Sequence, residues 1–267
     1  MKITTSIFLL VLINLSCSTN KYAATNKSYK KQVRAFAKTI RKYPLTDSFT
    51  TAPQFVGTTN FSMRKPNFVI IHHTAQNSCE QTLQTFTIPR TQVSAHYVIC
   101  KDGTVHHMLN DYLRAWHAGI ARWGNLTDVN SSSIGIELDN NGFETFTEPQ
   151  INSLLNLLND LKKAYLIPAA NFIGHADIAP TRKNDPNVSF PWKKLADKGF
   201  GLWYDDTSKV SVPPHFNNLL ALRIIGYDIR DTTAAIQTFK RHFEQDSSKV
   251  INDKDRKILY NLYKKYQ

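Results

Sequence analysis

The chain has 267 residues, of which 42% are hydrophobic and include 15 Phe and 11 Tyr, enough apolar side chain for one mid-sized domain and a smaller one. Charged residues make up 20%, which excludes a chain that is disordered as a whole. The net charge of +12 points to an anionic partner such as lipid or acidic wall polymer; nucleic acid is set aside because no Arg-rich helix or base-stacking motif occurs.

The N-terminus reads as an export signal. Met1-Lys2 is followed by an apolar run, Ile7 to Ile13, too short to span a bilayer, and then by Asn14-Leu15-Ser16-Cys17-Ser18. Residues 1–17 are therefore expected to be a signal peptide. Cys17, after a small residue, resembles a lipoprotein acceptor, although Asn14 stands where that signal prefers Leu; cleavage after Ser18 is the alternative. The expected destination is the periplasm, with a lipid on Cys17 as the link to the outer membrane in the first case. Cys79 and Cys100 then remain. Nothing in the sequence brings them together, so they are expected as free thiols.

Residues 18–44 read as a tether with a short helix from Lys30 to Tyr43, and residues 44–67 as irregular. Phe68-Val69-Ile70-Ile71 is a buried strand that ends in His72-His73. Ser78 and Gln81 form a capping box for a helix carrying Leu83 and Phe86. Tyr97 to Cys100 is a second strand, Asp102-Gly103 a hairpin turn, and Val105 to Leu109 the returning strand. Ile134 to Leu138 is a further strand. Thr147 with Gln150 caps a helix over 148–165, with Ile151, Leu154, Leu155, Leu158 and Leu161 at helical spacing. Phe172-Ile173 leads into Gly174 to Pro186, a loop loaded with charge and punctuated by Gly and Pro. Alternating strands and helices imply an α/β fold with a central mixed sheet flanked by helices. Composition changes near Gly199. Beyond it come a helix over 216–225 stopped by Gly226, one capped by Asp231 and one capped by Asn252, a small three-helix domain.

His72 closes one buried strand and His175 follows another, so both project where loops meet at the sheet edge. Asp185 lies ten residues after His175. Two His and one Asp, with a fourth position left to water, is the layout of a catalytic zinc site. Such a hydrolase also needs a carboxylate to take a proton from water and pass it to the leaving nitrogen. Glu137, in an otherwise apolar strand, fits. Lys183 fits the cation that faces the developing oxyanion. The competing readings are a salt bridge from Glu137 to Arg182 or Lys183, and a solvated turn stiffened by ion pairs.

Five ordered motifs carry a family resemblance. They are Val69 to Thr74, Ser94-Ala95-His96-Tyr97, Ala115-Trp116-His117-Ala118-Gly119, Ser133 to Leu138, and Gly174 to Pro186. Over about residues 45–205 the chain resembles the zinc-dependent N-acetylmuramoyl-L-alanine amidases of the amidase-2 group, which share the peptidoglycan-recognition fold. Through Phe190-Pro191-Trp192 and Gly199 to Trp203 it is similar to the exported branch more than to the cytosolic one. The resemblance implies zinc on His72, His175 and Asp185, Glu137 as general base and then acid, Lys183 at the oxyanion, and His96, Trp116 and His117 along the substrate cleft. It also implies peptidoglycan or muropeptides as partners. Residues 206–267 resemble a three-helix peptidoglycan-binding domain, but lack its usual Asp-Gly turn. The expected protein is a monomeric wall amidase; a recognition module without turnover and a stem-peptide peptidase are the alternatives.

Overall fold

The computed structural model describes residues 20–41, 57–63 and 65–267; the leader with Cys17 and residues 42–56 lie outside the described residues. The chain divides into two compact units, Met1–Phe61 and Ser62–Gln267. In the first, helix α1 runs from Ala23 to Arg41 without a buried residue. It starts seven residues before the expected helix. Its Ala- and Lys-rich sequence favours helix throughout, and Lys38 and Arg41 suit the negative end of the helix dipole.

The second unit is built on a five-stranded sheet, β1 (Phe68–His73), β2 (Tyr97–Ile99), β3 (Val105–His107), β4 (Ser133–Leu138) and β5 (Phe172–Gly174). The spatial order is β3-β2-β4-β1-β5, and every pairing is parallel except the β2–β3 hairpin. Helix α2 (Cys79–Thr87) connects β1 to β2 and helix α3 (Glu148–Tyr165) connects β4 to β5. Side chains alternate across the strands. Val69, Ile71, Ile134, Ile136 and Leu138 therefore face α3, packing with Ile151, Leu154, Leu158 and Leu161. Ile70 faces the other way, onto Ala118, Ala121, Val129 and Ile178.

Both expected helix caps form, but each glutamine side chain is used differently from a capping box. Ser78 Oγ accepts from Gln81 N, while the Gln81 side chain accepts from Asn77 N. Thr147 accepts from Gln150 N, while Gln150 Nε2 donates to the carbonyls of Ile99 and Asp139 and so bridges the ends of β2 and β4.

The two cysteines are not free thiols. Cys79 and Cys100 form a disulfide with their Cα atoms 5.3 Å apart. The sheet order explains it: Cys79 opens α2 and Cys100 follows the end of β2, and α2 lies against β2.

Three short helices follow, α6 (Asn218–Ile225), α7 (Thr232–Glu244) and α8 (Asp253–Tyr266), after two brief ones, α4 (His175–Ile178) and α5 (Trp192–Ala196). Asn217, Asp231 and Asn252 cap the long three. Gly226 ends α6 at φ +135°, and a Cβ there would lie 2.4 Å from the Trp123 ring. These helices enclose their own apolar core of Leu222, Ile225, Phe239, Phe243, Ile258 and Leu262, and the buried Lys240 pairs with Asp255 at 2.8 Å. Trp203 packs against both this core and the sheet core. Among the described residues no helix is long and apolar enough to cross a membrane.

Leu154 is fully buried between α3 and the sheet. Leu154→Ala is expected to cost about 2–5 kcal/mol, read as a lowered denaturation midpoint at unchanged m-value.

Candidate metal centre

Three neighbouring parallel strands, β4, β1 and β5, end at one edge of the sheet. Their carboxyl ends deliver Glu137, His72 and, one residue past β5, His175. Glu137 and His72 are partners in the β1–β4 register, so their side chains share a face. The ends of parallel strands are where α/β folds place their sites. The segment expected as a loop opens instead with the single helical turn α4, which starts at His175. Asp185 returns to it from the far end of the segment, and its backbone carbonyl accepts from Ala176 N at 2.7 Å.

The three proposed ligands meet. His72 Nδ1 lies 2.9 Å from His175 Nδ1, and Asp185 Oδ2 lies 3.2 Å from the first and 2.9 Å from the second. All three residues are buried. Among the described residues one other cluster has ligating residue types, Cys79, Cys100 and His106, and its sulfurs are committed to the disulfide.

Hydrogen-bond direction tests whether a cation fits. His175 Nε2 faces the carbonyl of Ala118 at 3.0 Å. A carbonyl only accepts, so Nε2 carries the proton and Nδ1 is bare. The His72 side of the pair is fixed from further away. The Ser133 hydroxyl donates to Val129 O at 2.6 Å, so its oxygen accepts from His117 Nε2 at 3.1 Å. His117 Nδ1 is then an acceptor, and His72 Nε2, 3.1 Å away, donates to it. His72 Nδ1 is left bare as well. Two bare ring nitrogens and a carboxylate oxygen, crowded together in a buried site, form a donor set that fits a divalent cation.

The local sequence enforces this chain. A Cβ at Gly135 would lie 2.4 Å from His117 Cγ, so the ring occupies the space a side chain would take. Asn130 Oδ1 accepts from the backbone N–H groups of both His117 and Ala118 and holds the loop. Arg182 donates to the carbonyls of Ala118 and Ile120, which clamps the ligand segment to the same loop.

Glu137 makes no salt bridge to Arg182 or Lys183, against one of the sequence alternatives; its Oε2 is buried without a partner. Burial, and next the Asp185 carboxylate, push its pKa up to about 8. Burial, and next the neighbouring His175 imidazole, push His72 down to about 4. Burial alone would raise Asp185, but the His175 and His72 imidazoles beside it outweigh burial and hold the carboxyl well below its usual range. Lys183 is half-buried, and its ammonium group has no hydrogen-bonding or ion-pair partner among the described residues. Its charge acts on His72, His73 and Glu137.

Of the three cleft residues expected, Trp116 has an exposed side chain and its backbone N–H donates to Ser94 Oγ. His96 and His117 are buried, and all four of their ring nitrogens have protein partners. His73 is buried on the opposite face, over Gly142.

The Amidase_2 family model, described as N-acetylmuramoyl-L-alanine amidase, matches residues 62–188. The amidase AmiD of Escherichia coli K12 is 34% identical over 207 residues, covering 66% of this chain and 74% of that protein. This chain belongs to the amidase-2 family. AmpD of Haemophilus influenzae, described as a 1,6-anhydro-N-acetylmuramyl-L-alanine amidase, is 38% identical over 108 residues, 40% of this chain and 59% of its own length. The structure of E. coli AmiD with the substrate anhydro-N-acetylmuramic acid-L-Ala-D-γ-Glu-L-Lys superposes with a TM-score of 0.70 at 29% identity, over 79% of this chain and 93% of that one. AmpDh3 of Pseudomonas aeruginosa gives 0.70 at 27% identity, over 84% and 99%. The amidase-2 sheet with flanking helices is thus the fold expected from the sequence.

The buried Glu137, with Oε2 lacking a hydrogen bond, has a consequence for the metal-free protein. A carboxyl raised to about 8 in the folded state binds more protons there than in the unfolded state, so its contribution to stability declines as pH rises from about 4.5 to 8. Metal-free Glu137→Gln is therefore expected to melt above the metal-free wild type at pH 8, with the gap closing towards pH 4.5. Thermal melts in excess chelator check this; parallel pH profiles would count against a buried carboxyl with a raised pKa.

Proposed function

We propose that the chain is a zinc-dependent N-acetylmuramoyl-L-alanine amidase that cleaves the amide between the lactyl group of N-acetylmuramic acid and the L-alanine of the stem peptide. The observation that carries this reading is the pair of bare imidazole nitrogens facing Asp185, with the Glu137 carboxylate beside them on the next strand, its Oε1 4.0 Å from His72 Nδ1 and its Oε2 buried without a hydrogen bond. The relatives support the substrate: E. coli AmiD and P. aeruginosa AmpDh3 have each been solved with an anhydromuramyl peptide.

His72, His175 and Asp185 would hold the ion. Zinc supplies Lewis acidity there, which lets water give up a proton near neutral pH. Glu137 takes that proton on a carboxylate oxygen and delivers it to the amide nitrogen as the C–N bond breaks. Its raised pKa suits a group that must hold a proton between the two events, and a nearby cation lowers that pKa towards the working range. Lys183, without a competing partner, faces the negative charge on the former carbonyl oxygen.

The leader supports export, and the Cys79–Cys100 pairing supports an oxidising compartment. Periplasmic placement, with Cys17 as the lipid-bearing residue, completes the proposal. Residues 206–267 are proposed to bind the wall and raise the local concentration of substrate.

Purified sacculi should release intact stem peptides with a free N-terminal alanine, and a chelator should stop the release. Shortened peptides would assign the chain to peptidase chemistry, and no release at all to recognition without turnover. Asp185→Ala should lose zinc by elemental analysis. Glu137→Ala should keep zinc while turnover falls by about 10²–10⁴-fold; zinc loss there would remove Glu137 from the proton-transfer role.

A further inference from the structure

One buried carboxylate beside the metal centre belongs neither to the ligand set nor to proton transfer. Asp177 is only 2% exposed and is the third residue of the turn that begins with His175. Its Oδ2 accepts from the backbone N–H of Gly174 at 2.7 Å and so caps the turn that presents the ligand.

The other donors to this carboxylate come from the C-terminal helices, more than 49 residues along the chain. Tyr227, just past α6, donates its hydroxyl to Oδ1 at 3.0 Å. His242, on α7, donates Nδ1–H to Oδ2 at 2.8 Å. Both partners are themselves fixed. Tyr227 is buried edge-on against Trp123 and Phe239. The His242 ring stacks on Trp192 with centroids 4.0 Å apart and planes 11° from parallel. Arg241, next to His242, adds a positive charge that reaches both Asp177 and Asp185. A buried carboxylate with three donors is held firmly; with one donor removed it is left under-satisfied in a place water does not reach.

We propose that Tyr227 and His242 are positioning residues for the metal centre: through Asp177, the C-terminal helices set the turn that aims His175 at the ion. The helical segment is then part of the catalytic apparatus as well as a wall-binding element. The inference rests on the metal reading above. Neither side chain touches the ligands, so the effect passes through the Asp177 cap and the backbone of Gly174.

The test measures zinc affinity of the full chain at 25 °C by competition with a chromophoric chelator, with native packing of each variant confirmed by near-ultraviolet circular dichroism. Tyr227→Phe and His242→Ala should each weaken zinc binding about 10-fold, the low end for changes behind a metal ligand. His242→Asn should restore most of the loss, because its amide N–H can replace Nδ1–H. Leu262→Ala cuts the fully buried core of the same helices without touching Asp177 and should lower the melting temperature while leaving zinc affinity unchanged. Wild-type affinity in Tyr227→Phe overturns the proposal. An equal loss in Leu262→Ala also overturns it, by reducing the effect to general destabilisation. A wild-type chain that binds no zinc removes the metal reading itself and this inference with it.

Discussion

The centre depends on hydrogen bonds that can run in one direction only. Two backbone carbonyls, those of Ala118 and Val129, fix that direction because neither can donate. From Val129 the constraint passes through Ser133 and His117 to His72, and from Ala118 directly to His175. Both imidazoles are thereby locked into the tautomer that turns a lone pair towards Asp185. The protein does not wait for an ion to arrange these rings. The arrangement follows from peptide groups that the fold has already placed, and it is costly until a positive charge sits between them.

Sheet order makes this placement possible. The β4-β1-β5 arrangement puts three strand ends side by side, so that residues separated by more than a hundred positions come within hydrogen-bonding distance. The same topology splits the work between faces. Apolar residues on one face bind α3, while His72 and Glu137 share the other with Gly135. Gly135 has no side chain because the His117 ring fills that space, so one glycine connects the packing of the sheet to the orientation of a ligand.

Much of this was legible in the chain. The strand ending in His72, the apolar strand carrying Glu137 and the helix over 148–165 have strong periodicities and clear caps, and the structure keeps them. Local signals misled where a side chain had a better distant partner. Gln150 looks like a capping residue but reaches two strand ends. Cys79 and Cys100 are separated by a helix and a strand, and only the sheet order brings them together. The turn at His175 was hidden by its Gly, Pro and charged neighbours, since the carboxylate that caps it is itself held from the C-terminal helices. No sequence spacing announces Tyr227 or His242, because their role comes from tertiary packing alone. An acidic residue two positions after a candidate ligand histidine, where a helix must start, was the one available hint.

The order in which the chain is made gives the Asp177 clasp a further meaning. His72, Glu137, His175 and Asp185 have all been synthesised by residue 185, yet the ring that steadies the turn at His175 belongs to residue 242. A polypeptide threading outward from its N-terminus would carry a complete but loosely held centre until its final helices had emerged and docked.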